Sequence, residues 1–213
     1  MTLAEIYKKR KQTTKYDQEN YPDMDTVKKI LTETFKITAS KQNLYPYKVH
    51  VLGPNHKNIK KDLYDVICHQ SGGFNNINIL QAPYCLIFTT RWVNNPDPVI
   101  YDRMKRGHTY TVCDLKLYNS AKAATCVEIG MFSKILTGLC LEKNINVSYT
   151  LCFPDYEKHK DLWKKLSFIK DPVLFSMQLG YRTGLVNYNK EKKPHIDDVI
   201  SWIKDWLLYK NLL

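Results

Sequence analysis

The chain has 213 residues, of which 44% are hydrophobic, and a formal net charge of +11. This length suits a single domain with its own core, and the hydrophobic content excludes a mainly disordered chain. No apolar run approaches the roughly 18 to 20 residues of a membrane span, and no apolar core of a secretion signal is visible, so we expect a cytoplasmic protein without a membrane partner.

The cysteines, the histidines and the net charge indicate which kinds of binding site to expect. None of the six cysteines forms a CxxC pair and most have apolar neighbours, which favours reduced, buried thiols. The six histidines show no HxH or HExxH spacing, so we do not expect a metal site. The positive charge favours nucleic acid or a phosphate-bearing ligand, or reflects simple solvation of dispersed lysines. Because no zinc finger, RNP motif or Arg-rich stripe is visible, nucleic acid is the weaker choice.

The first half of the chain alternates predicted helices with predicted strands. Residues 4–10 favour a short helix, and 23–36 have apolar residues at helical spacing, namely Val27, Ile30, Leu31 and Phe35. Residues 47–52 alternate in the manner of a strand, and 58–70 predict a helix that stops at a Gly-Gly pair. The continuous apolar run 82–90 is typical of a central strand buried on both faces.

The second half begins with a polar, aromatic stretch, residues 91–112, which we interpret as a mobile lid. Residues 113–144 form the longest helical candidate, and apolar side chains run nearly all round it, so it must be buried in the core or against another subunit. Two further strands are predicted, 145–153 and 172–181, with a short helix between them. The second strand would place four side chains on one face: Val173, Phe175, Met177 and Leu179.

The chain closes with an amphipathic helix, which divides it into a main domain, 1–194, and a C-terminal helix within 195–213 that packs on its own or a partner subunit. Strands and helices are intermixed and no hairpin signal appears. This order favours an α+β protein with a mixed sheet covered by helices on both sides.

Four separated segments carry polar groups suited to a flat, anionic ligand. The first is 8–14, where an arginine that could hold a phosphate through two hydrogen bonds alternates with amide and hydroxyl groups, at Arg10, Gln12 and Thr14. The second is the loop 39–43, which offers side-chain amide and backbone groups. The alternatives are an exposed basic helix end and an ordinary turn, respectively.

The third segment contains Asn75 and Asn78, which share a face if they lie on one helical turn and could pair with a ring of carbonyls and nitrogens. The fourth contains Lys190 and Lys192, which point to one side of an extended chain and could neutralise a phosphate. The alternatives are ordinary loop asparagines and a solvated charge run.

In this order the segments resemble the flavin-binding pattern of the nitroreductase family. The family's N-terminal Arg-x-Ser-x-(Arg/Lys) motif and following aromatic are matched by Arg10, Lys11, Gln12, Thr14 and Tyr16. Its Pro-Ser-Ser-x-Asn loop is matched by Ala39, Ser40, Lys41, Gln42 and Asn43. Its Phe-Asn-x-x-Lys segment is matched by Phe74, Asn75 and Asn78.

The resemblance continues to residue 200. The family's Glu-Gly pair, whose backbone amides approach the flavin N5, corresponds to Leu151 and Cys152, and its Lys-x-Arg phosphate pair to Lys190 and Lys192. There are departures: Gln12 replaces Ser, Thr14 replaces a cation and Asn78 replaces Lys. Ala39 and Lys41 also differ, and Leu151-Cys152 lacks the Gly that permits a close backbone approach.

The resemblance implies a three-layer α-β-α sandwich with a mixed central sheet, in an intertwined homodimer with two FMN sites at the interface. It implies that NADH or NADPH delivers hydride to FMN N5 and that a nitroaromatic, quinone or similar small molecule then takes the electrons, in ping-pong order. Cations or amides would stabilise charge at N1 and O2, the candidates being Gln12, Lys41, Asn75 and Asn78. No side chain need act as a nucleophile.

Three alternatives stay open at the level of sequence. A protein of the same family could perform different chemistry, such as reductive dehalogenation or flavin fragmentation. The altered positions Thr14, Leu151 and Cys152 would also suit a flavin-binding protein without turnover. The third alternative is a basic nucleic-acid-binding protein, whose affinity would fall steeply with salt.

Overall fold

A computed structural model describes residues 2–40, 44–71, 79–91, 122–151, 153–183 and 199. In chain order the elements are α1 (Leu3–Lys8), α2 (Met24–Ile37), β1 (Tyr47–Leu52), α3 (Lys57–Ser71), β2 (Tyr84–Thr90), α4 (Lys122–Glu142), β3 (Asn146–Thr150), α5 (Lys160–Trp163) and β4 (Val173–Gly180). The element order predicted from the first helix to the last of these strands is confirmed. The lid expected over 91–112 and the closing helix of 195–213 fall outside the described residues, apart from Arg91 and Val199.

The four described strands form one sheet in the order β1-β2-β4-β3. The central position predicted for β2 is confirmed, because it pairs on both edges and nearly all its side chains are buried. All three pairings are antiparallel. The parallel pairing that a mixed sheet requires is therefore not made by the described strands.

Helices α2 and α4 cover one face of the sheet. Val27 and Ile30 of α2, which the helical spacing predicted to face inward, pack with Phe132 and Leu136 of α4 against sheet residues such as Phe88. Phe35, predicted on the same stripe, is instead exposed, and its ring lies 4.7 Å from that of Tyr45 (centroid to centroid). The last turn of α2 therefore packs on the following loop rather than on the sheet.

Helix α3 and the short helix α5 cover the opposite face. Leu63 and Ile67 of α3 pack with Trp163 of α5 against Ile87, whose neighbours on β2 face the other layer. Each of these side chains is fully or almost fully buried. Consecutive residues of β2 pack into the cores on opposite faces because side chains alternate across a sheet. The described part of the chain is thus an α-β-α sandwich, as predicted.

The start of β4 departs from the predicted alternation. The pairing of β2 with β4 shifts register between Phe88 and Thr89, because Phe88 pairs with Phe175 while Thr89 pairs with Val173. Such a shift leaves one extra residue on the bulged strand and reverses which face the next side chain meets. Val173 accordingly lies in the core beneath α3, and its predicted place on the face of Phe175 is wrong.

Only one side of α4 is buried, although its sequence is apolar nearly all round. Leu136 and Cys140 are fully buried, whereas Val127 is 63% exposed and Met131 is 42% exposed. Of the two environments predicted for this helix, the core takes one face and leaves an apolar face uncovered. No helix among the described residues is long and apolar enough to cross a membrane.

We predict that Gly180→Ala destabilises the fold by about 1–3 kcal/mol, the usual cost of overpacking a core. A Cβ at this position would lie 2.7 Å from Cδ of the rigid Pro83 ring and 2.9 Å from Cδ1 of buried Tyr16. Neither ring can move aside without shifting backbone. Urea unfolding of the variant and the parent measures the difference.

Gly53→Ala is the matched control. Its added Cβ would also be crowded, at 2.9 Å, but by the terminal methyl of Met24, a flexible and partly exposed side chain that can turn away. We expect a loss well below that of Gly180→Ala. Equal losses for the two variants would contradict this account of Gly180.

Candidate functional site

The N-terminal segment that follows α1 lies along the edge of the sheet formed by β3 and the end of β4. Its anchor is Tyr16, whose buried hydroxyl lies 2.7 Å from Oγ of Ser148 and donates to the carbonyl O of Gln178 at 3.1 Å. Burial raises the pKa of the Tyr16 phenol, so the hydroxyl keeps its proton and remains a donor. The backbone N–H of Asp17 also donates to the carbonyl of Tyr181 at 2.8 Å.

This anchor places Arg10 and Gln12 against Tyr149 of β3. The Arg10 guanidinium lies 4.7 Å from the centroid of the Tyr149 ring, and its Nη2 donates to Oε1 of Gln12 at 3.3 Å. Gln12 in turn donates from Nε2 to the carbonyl O of Tyr149 at 3.1 Å. Two segments that are more than 130 residues apart in the chain are thereby brought together.

The contact with Tyr149 continues into an apolar cleft. The Tyr149 ring lies 5.6 Å from that of Phe175 (centroid to centroid), and Phe175 lines a cleft of about 180 Å³. Leu151, which directly follows β3, is 71% exposed at its rim. The other lining residues come from α4 and β4: Cys126, Ile129, Gly130, Ser133 and Leu174.

Lys11 and Thr14 do not join the Arg10–Gln12 pair among these contacts. Lys11 lines a different cleft, of about 370 Å³, whose cationic residues also include Lys8, Lys9 and Arg182. Thr14 is half-buried. Its neighbour Thr13 is the buried one, and the Thr13 hydroxyl has no hydrogen-bond partner in the described part of the chain.

Ser40 in the loop after α2 is already engaged within its own chain. Its hydroxyl donates to Oε2 of Glu128 on α4 at 2.6 Å and accepts from the backbone N–H of Tyr45 at 2.8 Å. Ala39 is exposed. The hydroxyl has one proton, and Glu128 takes it, so Ser40 has no second proton to donate to a ligand in this conformation.

Half of the predicted site residues lie outside the described residues. They are Lys41, Asn43, Asn75, Asn78, Cys152, Lys190 and Lys192. Their assignments remain predictions from the sequence.

Three residues that sequence reasoning missed contribute to this region: Arg91, Glu128 and Tyr149. Glu128 carried a recognisable signal, because it is a single carboxylate inside the apolar run AATCVEIGMFS. A buried carboxylate needs hydrogen-bond donors, so its position called for a partner. Nothing in the sequence names that partner as Ser40.

Two of the described thiols, Cys85 and Cys140, offer no nucleophile for this site. Cys85 and Cys140 are buried, and burial raises the pKa of each thiol to about 12. Cys126 is exposed, so the prediction of buried thiols is wrong for this cysteine, which lies on the uncovered face of α4. Within the described ranges, no group of three or more His, Cys, Asp or Glu side chains is placed to hold a metal ion.

Solved structures share this architecture over nearly the whole chain. A nitroreductase-like protein from Streptococcus mutans superposes with a TM-score of 0.71 at 14% identity, covering 94% of this chain and 98% of that one. A candidate nitroreductase from Exiguobacterium sibiricum, solved in complex with FMN, gives 0.71 at 15% identity, with 95% and 97% covered.

The chain has the nitroreductase fold. A candidate NAD(P)H:FMN oxidoreductase from Staphylococcus epidermidis shares the fold with a TM-score of 0.62 at 14% identity, over 95% of this chain and 96% of that one. No family model matches the sequence, and no curated protein matches it significantly. The nitroreductase fold predicted from scattered motifs is therefore confirmed by structure, at identities too low for sequence comparison to detect.

Proposed function

We propose that the protein is an FMN-dependent oxidoreductase that takes electrons from NADH or NADPH and passes them to a nitroaromatic, a quinone or a similar small molecule. Its fold supports the class, since one structural neighbour is in complex with FMN and another is a candidate NAD(P)H:FMN oxidoreductase. Fold alone does not specify chemistry, so the residues of the site must carry the argument.

The observation that carries the proposal is the meeting of Arg10 and Gln12 with Tyr149. The Tyr149 ring packs on Phe175, which lines the cleft beside Leu151. A guanidinium suits a phosphate, an amide suits the polar edge of a heterocycle, and an apolar cleft suits a flat ring. These three kinds of group are connected through the rings of Tyr149 and Phe175. They fit the phosphate, pyrimidine and ring portions of FMN.

In this proposal the residues divide the work of binding. Arg10 would hold the phosphate together with Lys190 and Lys192. Gln12 would meet the pyrimidine edge, with Lys41, Asn75 and Asn78 as further donors. The backbone at Leu151 and Cys152 would lie nearest the reactive nitrogen. The bound flavin supplies the electron-carrying ring, and the protein supplies orientation and charge.

The positive charge of the protein suits both the flavin and the nicotinamide nucleotide that would reduce it. Amide donors and cations near the pyrimidine edge stabilise the negative charge that a reduced ring acquires. The net charge of +11 raises the local concentration of anionic nicotinamide nucleotides. The cytoplasmic location expected from the sequence remains a prediction.

We further propose a homodimer formed through the uncovered face of α4. Val127 and Met131 lie exposed one turn apart on α4, and Gly130, between them in the sequence, lines the cleft beside exposed Leu151. Apolar side chains on adjoining surfaces gain about 25 cal/mol for each Å² that a partner covers. A second copy covering this face would also close the cleft beside Leu151.

One observation favours a second function, flavin binding without turnover. Cys152, which directly follows Leu151 of the cleft, stands where the resemblance places the Gly of the Glu-Gly pair. A side chain at the Gly position hinders the close backbone approach that a glycine permits. The absorbance spectrum after addition of NADPH or NADH distinguishes this function from the first.

We expect the purified protein to be yellow, with flavin absorbance bands that bleach when NADPH or NADH is added without oxygen. Fluorescence of the heat-released cofactor identifies it as FMN. A yellow protein that neither nucleotide bleaches would support binding without turnover. A colourless protein that also fails to take up added FMN would contradict the proposal.

The phosphate assignment predicts that Arg10→Ala with Lys192→Ala weakens FMN binding by about 100-fold or more, since each charge-assisted contact contributes about 1.5–3 kcal/mol. Circular dichroism and FMN titration of the apoprotein measure folding and affinity separately.

The control is Lys8→Ala with Lys9→Ala, which also removes two positive charges, but from the cleft of about 370 Å³. It should leave the affinity within about threefold of the parent, because only bulk charge is lost. An equal loss in both variants would remove the phosphate assignment of Arg10.

The dimer predicts that Val127→Lys with Met131→Glu halves the mass in solution from twice the chain's 25.0 kDa to that of one chain. Analytical ultracentrifugation measures the mass. Cys126, which is exposed on the same face, should react slowly with maleimide in the parent and rapidly in the variant.

The control for this prediction is Tyr21→Lys with Leu80→Glu, which alters two exposed residues that line a cleft beside α3 and should leave the dimer intact. A parent protein that sediments as one chain would contradict the homodimer.

A further inference from the structure

The loop between α2 and β1 is held at both ends by charged side chains from distant parts of the chain. Glu128 of α4 holds Ser40 on one side, and Arg91, directly after β2, holds Leu44 and Tyr45 on the other. These residues flank the segment that the resemblance assigns to the flavin site. We refer to Arg91 and Glu128 as the loop clamps.

Glu128 is a buried carboxylate, with 5% of its surface exposed. It accepts a hydrogen bond from the Ser40 hydroxyl at 2.6 Å, and the same hydroxyl accepts one from the N–H of Tyr45. Hydrogen bonds to a buried charge are about twice as strong as those between neutral groups. Loss of this contact would therefore free both Ser40 and the backbone of Tyr45.

Arg91 uses both its side chain and its backbone. Its Nε donates to the carbonyl O of Tyr45 at 2.8 Å, its Nη2 donates to the carbonyl of Leu44, and its backbone N–H donates to the carbonyl of Pro46 at 2.9 Å. Three consecutive carbonyls are thus satisfied by one residue. The rigid guanidinium satisfies two of them because its donors point in fixed directions, and the backbone N–H satisfies the third.

The backbone of Tyr45 explains why two clamps are needed. Its φ is 44°, in the left-handed region that residues with a Cβ rarely adopt, at a cost of about 1–3 kcal/mol. The Tyr45 hydroxyl also donates to the carbonyl of Thr38 at 2.9 Å, and its ring packs on Phe35. Contacts from four directions therefore offset one unfavourable conformation.

The clamp on α4 adjoins the cleft of the candidate site. Glu128 is followed in the helix by Ile129 and Gly130, which line the cleft with Leu151. At 1.5 Å of rise per residue, the clamp and the cleft lie within about 3 Å of each other along the helix axis. Glu128 therefore shares one turn of α4 with two residues of the cleft wall.

We infer that Glu128 and Arg91 are positioning residues for FMN binding, acting through Ser40 and Tyr45 without touching the cofactor. This inference rests on the proposed function and changes one part of it. The Ser40 hydroxyl, which the resemblance would assign to the flavin, instead joins the loop to α4. Its contribution to affinity then depends on Glu128 being present.

A double-mutant cycle in FMN affinity tests this dependence. We expect Ser40→Ala and Glu128→Ala each to raise the Kd for FMN by about tenfold. The variant with both changes should bind within about threefold of Glu128→Ala alone, because residues that act through one contact are not additive. If the two increases in Kd multiplied, to about 100-fold in the double variant, Ser40 would act independently of Glu128 and the inference would be overturned.

Conservative variants keep the test valid if Glu128→Ala fails to fold. Glu128→Gln retains an oxygen that can accept from Ser40 and should restore the Kd to within about threefold of the parent. Arg91→Lys should bind FMN more weakly than the parent, since one ammonium cannot reproduce the fixed fork of donors. Glu142→Gln, an exposed change on the same helix, is the control and should have no effect.

Urea unfolding of the apoproteins separates positioning from simple stabilisation. If the clamp variants lose stability but bind FMN as the parent does, the clamps are only structural and the inference is overturned. A parent that binds no FMN would overturn the proposed function and this inference with it. A parent that binds FMN with unchanged affinity in the clamp variants overturns this inference alone.

Discussion

Burial of one face of α4 on the sheet is the constraint on which the other features depend. Leu136 and Cys140 are completely enclosed, and each such apolar side chain contributes about 1.5–3 kcal/mol relative to an exposed one. Once that face is committed, the remaining faces have fixed directions. Gly138, two turns beyond Met131 on the same side of the helix, lets Tyr7 of α1 approach: a Cβ there would lie 3.2 Å from the Tyr7 hydroxyl O. Glu128 is buried, and Val127 and Met131 form the uncovered apolar face.

The candidate site is built around this helix rather than within a single motif. Strand β3 follows α4 after a short turn and presents Tyr149 to the N-terminal segment, which Tyr16 anchors to the sheet. The same helix lines the cleft beside Leu151 and holds the loop through Glu128. Binding groups that come from distant parts of the chain therefore share one rigid support, which keeps their geometry well defined.

Most of the elements could be predicted from the sequence because periodicity reports directly on burial. The inward positions of Val27 and Ile30 and the central place of β2 followed from spacing and from an unbroken apolar run. Val173 could not be placed, because a register shift depends on the partner strand. Phe35 has the right spacing but packs on Tyr45 of the following loop, and the spacing within one helix does not encode a contact with a loop.

The amino-acid order by itself determined which segments carry a guanidinium, amides and lysines, and that these follow the pattern of a flavin site. That much is local chemistry, readable from residue types and spacing. Only the tertiary structure decided that Arg10 lies over Tyr149 and that the Ser40 proton goes to Glu128. The reason is physical: a side chain has few donors and acceptors, and which partner takes each one depends on long-range packing that brings distant residues within about 3 Å.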